Sequence, residues 1–528
     1  MRRSKALRGA AEVALLGVLD LLPRRLHAHP RNALGNFAST LDELQGRARS
    51  RRLSPATSVL KLAANKRGLP CEVVGRQHLR LGQGKAQRHM YSSMTSTTSI
   101  AAQKMCADKR LTNRRLSELR IPVPQQVKVG SVEAAHAGAV KLGFPIVIKP
   151  VKGKKGQGVT SGLTDPTGID SAFERAHKKG SDVLVESYVP GDDHRLLVIG
   201  GKFVAALVRR PPTITGDGKG TIEALVDALN DDPSRDGFRL FKVPKDADME
   251  RLLTQAGLSM NDVLSEGRTL ALRSTANITT GGLPIDITDQ VHPDNRQLAE
   301  SAAKGVGLDV AGVDFITTDI TRSYNEVGGK IIELNARPGL DIHIWPYLGK
   351  QRNVAGEVLK LSFPPGTDGR IPTVAVAGDK GTGATARTLD MILRGSGRSV
   401  ALALRERSFV NGLFAELSDE QQARAVRILL RDPQVDTLVS TVSPRQAARR
   451  GLVLDTLRLT VIMDKAKDGE AELFHTGLEL LKQATTDCFV VGAGNTVALD
   501  RLRELGPRQL ILVSERNNDP MLQTHLNA

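Results

Sequence analysis

Apolar residues in this chain cluster in short runs bounded by glycine, proline and charge, the spacing of strands rather than of long helices. Such runs cover Phe144 to Pro150, Asp182 to Val189, Gly312 to Ile316 and Ile332 to Asn335. Four more follow, at Val374 to Ala377, Leu459 to Met463, Phe489 to Val491 and Leu510 to Val513. Gly200-Gly201 marks the turn of a hairpin that opens at Asp193-His194-Arg195, and Gly328-Gly329 marks a turn ahead of the Ile332 strand. Near the start, Glu12 and Asp20 interrupt the apolar run from Ala10 to Leu22, so this stretch predicts an amphipathic helix and not a signal peptide. At 528 residues and 40% hydrophobic the chain can bury several cores, and three or four domains are expected.

Polar residues placed inside these runs carry the chemistry. Alternate residues of a strand face the same side, so Glu333 and Asn335 look one way and a neighbouring strand can bring Asp314 beside them. Two carboxylates and an amide oxygen form a hard, all-oxygen set suited to magnesium that also holds substrate phosphates. Lys149 ends an apolar strand, where a cation is costly unless it meets an anion. The loop Lys152 to Val159 follows it, with three glycines and three lysines that suit close approach to phosphate.

This order of parts resembles the ATP-grasp superfamily, and more closely the cyanophycin synthetases. The segment beginning SIAAQKMCADKRLT at Ser99, DHRLLV at Asp193, TGDGKGTI at Thr215, LRSTANITTGG at Leu272, VHPDN at Val291 and RNV at Arg352 carry the resemblance, from about residue 70 to 370 and more weakly beyond. It implies that Lys109 and Lys149 hold the α- and β-phosphates of ATP and that the loop containing Lys155, Gly156 and Gly158 closes over the triphosphate. The backbone of Glu186, Ser187, Tyr188 and Val189 would face adenine, with Asp193 at the ribose. Arg195, Arg273 and Asn277 would serve the γ-phosphate or the reacting carboxylate; Asp314, Glu333 and Asn335 would hold magnesium, as two ions. Arg337 and His343 would lie at a substrate carboxylate, although the family carries a smaller residue at position 337.

In the family a Mur-ligase-like unit follows, so the resemblance implies a multidomain α/β chain: an ATP-grasp fold of α+β lobes, then a parallel α/β, P-loop-type domain. Here Arg370 to Ala377 leads into Gly378 to Thr385, but the positions that need the phosphate-binding lysine are Thr382 or Ala384. The family's acidic Glu-Thr-Ala-Arg-Gly-Gly run corresponds to Thr441 to Gln446, with Thr441 replacing the magnesium-binding glutamate. With the chain ending at Ala528, the resemblance implies a truncated and catalytically inactive unit. The expected division is a basic N-terminal domain over 1–95, an ATP-grasp ligase domain over 96–368 and a truncated Mur-like domain over 369–528.

Composition narrows the classes further. Three cysteines, Cys71, Cys106 and Cys488, exclude a disulfide or cysteine–zinc framework and suit a cytoplasmic, reducing compartment. No apolar run approaches a membrane span. Residues 1–120 hold 24 Lys and Arg against 7 Asp and Glu, and the remainder 50 against 50, so the net charge of +17 lies entirely in the first segment. Only Phe37 and Tyr91 are available there for stacking, which disfavours single-stranded nucleic acid.

The expected activity is an ATP-dependent acid–amino-acid ligase that forms amide bonds through an acyl phosphate. Its substrates would be an amino acid, a dipeptide or a polypeptide: foremost β-aspartyl-arginine dipeptides joined into cyanophycin by one site, in a dimer or tetramer. The alternatives are a ligase retuned to another amino acid or peptide, of glutathione or glutamyl-peptide type, and a non-catalytic nucleotide-binding partner of a full-length synthetase.

Overall fold

A computed structural model describes residues 53–152, 157–180, 182–237, 240–273, 275–415, 422–463 and 471–513. The helix expected over Ala10 to Leu22, and Lys155 and Gly156 of the glycine-rich loop, lie outside these residues. The described residues form two compact units. The first comprises 53–63, Val73–Leu79 and Met90–Ser362; the second comprises Ala64–Glu72, Arg80–His89 and the chain from Phe363 onward. No helix among the described residues is long and apolar enough to cross a membrane.

In the first unit, Ser99 caps helix α1 (Ile100–Ala107) by accepting the Ala102 amide at 3.0 Å. Asp108 then caps α2 (Lys109–Glu118), accepting the amides of Arg110 and Leu111 at 3.0 and 3.1 Å. The cap makes Lys109 the first residue of α2. An antiparallel four-stranded sheet follows, built from β1 (Gln126–Val129), β2 (Ile146–Pro150), β3 (Thr160–Leu163) and β4 (Val183–Ser187) in the order β1-β4-β2-β3. Helices α3 (Val132–Leu142) and α4 (Ile169–His177) contribute Ala135, Ala139, Ala172 and Phe173 to the core over Ile146, Ile148, Val183 and Val185.

A second antiparallel sheet contains β5 (Asp192–Ile199), β6 (Lys202–Arg210), β7 (Leu283–Asp286), β8 (Val310–Thr317) and β9 (Lys330–Asn335), in the order β7-β6-β5-β8-β9. Its two faces differ sharply. Leu196, Val198, Ala206, Val208, Ala311, Val313, Phe315 and Leu334 share one core with Leu298, Ala299, Ala302 and Ala303 of α5 (Pro293–Val306). The alternate residues, pointing the other way, include Asp193, Arg195, Arg209, Asp314, Glu333 and Asn335. A bulge after Asp314 pairs Glu333 with Asp314 but Ile331 with Phe315. Ile332 is therefore the extra residue, and the bulge lets Glu333 stay on the polar face while Ile331 joins the core.

The second unit is built on a sheet whose central strands are parallel, β10 (Thr373–Ala377), β11 (Val400–Ala403), β12 (Thr437–Val442), β13 (Leu457–Ile462), β14 (Thr485–Gly492) and β15 (Leu510–Val513), in the order β11-β12-β10-β13-β14-β15. An antiparallel hairpin of Ser408–Val410 and Leu413–Ala415 extends the β11 edge. Helix α6 (Thr382–Gly395) follows β10, and α7 (Pro444–Arg450) follows β12. All four strand runs expected in this region are present.

Phe315 is 1% exposed, and Gly329 leaves room for its ring, since a Cβ at Gly329 would stand 2.4 Å from Phe315 Cζ. Phe315→Ala is expected to destabilise the first unit by about 3–5 kcal/mol, measured as the loss in denaturant midpoint at unchanged slope.

Candidate active site

The polar face of the second sheet is a ladder of opposite charges running across four strands. On β6, Arg209 stands opposite Asp193 of β5. Two residues along β5, Arg195 stands opposite Asp314 of β8, which in turn faces Glu333 of β9. Arg195 Nε lies 2.5 Å from Asp314 Oδ1, and an Arg209 terminal nitrogen lies 2.5 Å from Asp193 Oδ1 and 3.3 Å from Asp314 Oδ2. At the other end, Lys109 Nζ lies 3.8 Å from Glu333 Oε1, carried there by the first turn of α2. The structure thus brings Lys109, Asp193, Arg195, Asp314, Glu333 and Asn335 to one surface. Arg209 belongs to the same surface, although the sequence reading passed over it.

Each charge is tuned by its neighbours. Burial pushes the Asp314 carboxyl up, but Arg195 and Arg209 outweigh it and hold the pKa below the ordinary range. Glu333 moves the opposite way. Burial raises it and Asp314 adds to the rise, against the opposing pull of Lys109. Gly312, opposite Asn335, is required by this packing: a Cβ there would come within 2.8 Å of an Arg195 nitrogen and 2.9 Å of Pro338 Cβ. The Asn335 amide nitrogen is buried without a hydrogen-bond partner. The amide oxygen of Asn335 shares a face with the carboxylates of Asp314 and Glu333, and the three make an oxygen donor set that fits magnesium. Among the described residues no group of three or more His, Cys, Asp or Glu is placed to hold a metal ion, so the donor set here is two carboxylates and one amide.

Across the first sheet, Lys149 Nζ lies 2.5 Å from Glu186 Oε2, both side chains buried, and Gln126 donates to the other Glu186 oxygen. Lys149 therefore already has a buried counter-ion. Beyond it, Ser187 N–H donates to Gln125 O at 3.0 Å and Tyr188 N–H to Pro145 O at 3.1 Å. Two of the backbone donors expected to face a base are thus used within the protein, and Glu186 is paired with a strand on either side. Gly158 adopts φ +74°, a left-handed conformation that suits glycine.

Four expected residues lie outside this ladder. Arg273 is held by Asp246 at 2.8 Å, by Asp248 at 3.4 Å and by the Pro244 carbonyl at 2.5 Å, where it fastens helix Ala247–Gln255. Asn277 caps a short helical turn, accepting the Thr279 amide at 3.0 Å. Arg337 is exposed and lies 5.4 Å over the Tyr91 ring. His343 is fully buried with both ring nitrogens unpartnered. Burial, and then nearby Arg195, push its pKa down to about 3, so it is neutral.

In the second unit, the turn before α6 is closed by its own side chains. Asp379 accepts from Ser443 Oγ at 2.7 Å and pairs with buried Arg445, both residues of the Thr441 to Gln446 segment. Gln422 Nε2 donates to Thr441 Oγ1 at 2.9 Å.

Burial raises the Asp341 carboxyl, beside His343, to about 6. Its folded-state pKa exceeds the ordinary value, so between about pH 4 and 6 the folded chain keeps a proton that the unfolded chain has lost, and stability falls as pH rises through that window. Asp341→Asn is therefore expected to stabilise the protein by roughly 1–3 kcal/mol at pH 7.5 and by little at pH 4, read from paired denaturant midpoints.

The chain is similar to several known proteins. Residues 129–227 match the family described as the prokaryotic glutathione synthetase ATP-grasp domain. The chain is 35% identical to cyanophycin synthetase of Trichormus variabilis over 433 residues, which is 81% of this chain and 48% of that protein. It is 34% identical to the Synechocystis sp. cyanophycin synthetase over 443 residues, 83% of this chain and 51% of that one. The glutathione biosynthesis bifunctional protein of Mannheimia succiniciproducens is 34% identical over 58% of this chain and 42% of its own length. Among solved structures, a bifunctional glutathione synthetase from Pasteurella multocida overlays 62% of this chain and 48% of its own with a TM-score of 0.46 at 30% identity. The chain spans about half the length of the cyanophycin synthetases it matches. With 81% of its residues in that match and an ATP-grasp domain model over 129–227, the chain is a homologue of the cyanophycin synthetases built on an ATP-grasp fold.

Proposed function

We propose that the chain is an ATP-dependent carboxylate–amine ligase that extends cyanophycin by joining β-aspartyl-arginine dipeptides at its single ATP-grasp site. The observation that carries this reading is the shared surface of Asp314, Glu333 and Asn335 with Lys109 and Arg195. In the reaction, a substrate carboxylate oxygen attacks the γ-phosphorus of ATP, ADP leaves, and an acyl phosphate forms. The amine of the incoming dipeptide then attacks the acyl carbon, expels phosphate and loses a proton, giving the amide.

Asp314, Glu333 and Asn335 would hold magnesium, which supplies neutralisation of the phosphate oxygens. The rest is work for the chain's own cations. Lys109 and Lys149 take the nucleotide phosphates, each moving off the carboxylate that holds it now, and Arg195 steadies charge on the transferred group. Buried, neutral His343 gives the carboxylate end of the site an uncharged wall. No Ser or Cys nucleophile is required, and burial pushes the Cys106 thiol up to about 12, too high for a thiolate.

The second unit reads as a structural domain that has lost catalysis. Thr382, Ala384 and Thr441 stand where a phosphate-binding lysine and an acidic metal ligand are needed, and Asp379 pairs with Ser443 and Arg445 across the turn. One observation favours a second reading, a ligase retuned to another peptide. Arg337 is exposed on the Tyr91 ring where the family carries a smaller residue.

Magnesium-dependent phosphate release with a short cyanophycin primer and β-aspartyl-arginine tests the proposal. Turnover and chain growth are expected with the dipeptide, and none with free aspartate and arginine. Glu333→Ala should cut turnover by about 10²–10³-fold, the scale of losing one charge-stabilising group. Growth from the free amino acids would mean that the second unit is active, and silence with the dipeptide but turnover with another peptide would select the retuned ligase.

A further inference from the structure

The charge ladder is balanced before any metal arrives. Asp193, Asp314 and Glu333 face Arg209, Arg195 and Lys109, three acids against three bases. A divalent cation entering that set adds two positive charges to a surface that has none to neutralise. A magnesium nucleotide is different, because the complex carries net negative charge and brings phosphate oxygens that Lys109 and Arg195 can take up in exchange for their carboxylates.

Arg209 is the base in this set with no part in the proposed chemistry. Lys109 and Arg195 sit at the β9 end and the centre of the ladder, while Arg209 reaches in from β6, one strand further out. Its side chain is 12% exposed and clamped between two carboxylates, 2.5 Å from Asp193 and 3.3 Å from Asp314. Burial disfavours its charge, but Asp314 and Asp193 outweigh that and hold the guanidinium above its ordinary pKa, so it is cationic throughout the accessible range. The contact with Asp314 Oδ2 also leaves one carboxylate of the candidate metal set held from two sides, by Arg195 and by Arg209.

We infer that Arg209 is a positioning residue that makes the metal face discriminate: it balances Asp193 and Asp314 so that free magnesium is refused and magnesium is accepted only together with nucleotide phosphates. The inference rests on the ligase reading for the identity of the nucleotide. It uses the ladder geometry alone for the behaviour toward free metal.

The test is thermal unfolding and calorimetric titration of the full chain in MgCl2, against NaCl at equal ionic strength, and separately with magnesium ADP. Any ligand that binds the folded state raises its stability with the logarithm of its concentration over Kd, so the two read-outs must agree. The wild type is expected to respond to magnesium ADP and not to millimolar magnesium alone. Arg209→Met should melt lower without metal and gain at least about tenfold in affinity for magnesium alone, because two facing carboxylates lose their shared cation. Arg209→Lys, which keeps the charge, should behave as wild type. So should the double variant Asp193→Asn with Arg209→Met, which restores the balance. If Arg209→Met does not fold, Arg209→Gln, which keeps a donor for Asp193, takes its place. A wild type that binds free magnesium as tightly as Arg209→Met overturns the inference, and so does a double variant that keeps the gain. A wild type that ignores magnesium ADP would count against the ligase reading, and the free-magnesium comparison would still decide the role of Arg209.

Discussion

The first unit depends on one constraint: five charged side chains of one sheet face, with Lys109 of α2, stand partly or wholly out of water, and each is tolerable only because its neighbour has the opposite sign. Desolvating an isolated carboxylate or guanidinium costs several kcal/mol, and an ion pair recovers that cost only with close geometry. The cross-strand pairing supplies it, since facing residues in an antiparallel sheet stand side by side. Loss of any one rung strands its partner, so truncations along the ladder should combine non-additively. The opposite face packs apolar side chains against α5, and the period of two along each strand keeps the two environments apart.

The second unit uses the same device to a different end. Asp379 occupies the turn between β10 and α6, the place where a P-loop would present amides and a lysine to phosphate, and Arg445 lies buried against it. The carboxylate meets a guanidinium from the chain itself. A loop that needs no ligand to satisfy its charges is consistent with a domain kept for its fold.

Much of this was legible in the sequence. Glu333, Asn335 and Asp314 could be assigned one face because strand alternation is rigid and the glycine turns fix where strands begin. Lys149 was legible as a cation out of place, although its buried partner, Glu186, was read only as a backbone segment. Arg209 was not legible for a geometric reason. Counting back from the Gly200-Gly201 turn puts Val208 opposite Asp193, but an irregularity between Phe203 and Ala205 slips the register by one and brings Arg209 there instead. The arginine ending an apolar strand was the available signal. Arg273 shows the converse case. A motif placed it toward phosphate, while Asp246 and Asp248, invisible to the motif, bind it in the folded chain.

The single extra residue at Ile332 acts as a built-in check on folding. Strand β9 has apolar side chains at Ile331 and Leu334 and polar ones at Glu333 and Asn335, a spacing that a regular strand cannot satisfy on both faces at once. Slipping the strand by one position, with or without the bulge, would drive a carboxylate into the Phe315 core or leave two apolar residues in the polar face. The chain therefore has no near-miss pairing that is almost as comfortable as the native one. The arrangement that closes the core is the same arrangement that assembles the site, so a molecule that has finished folding is one whose Asp314 and Glu333 already stand together.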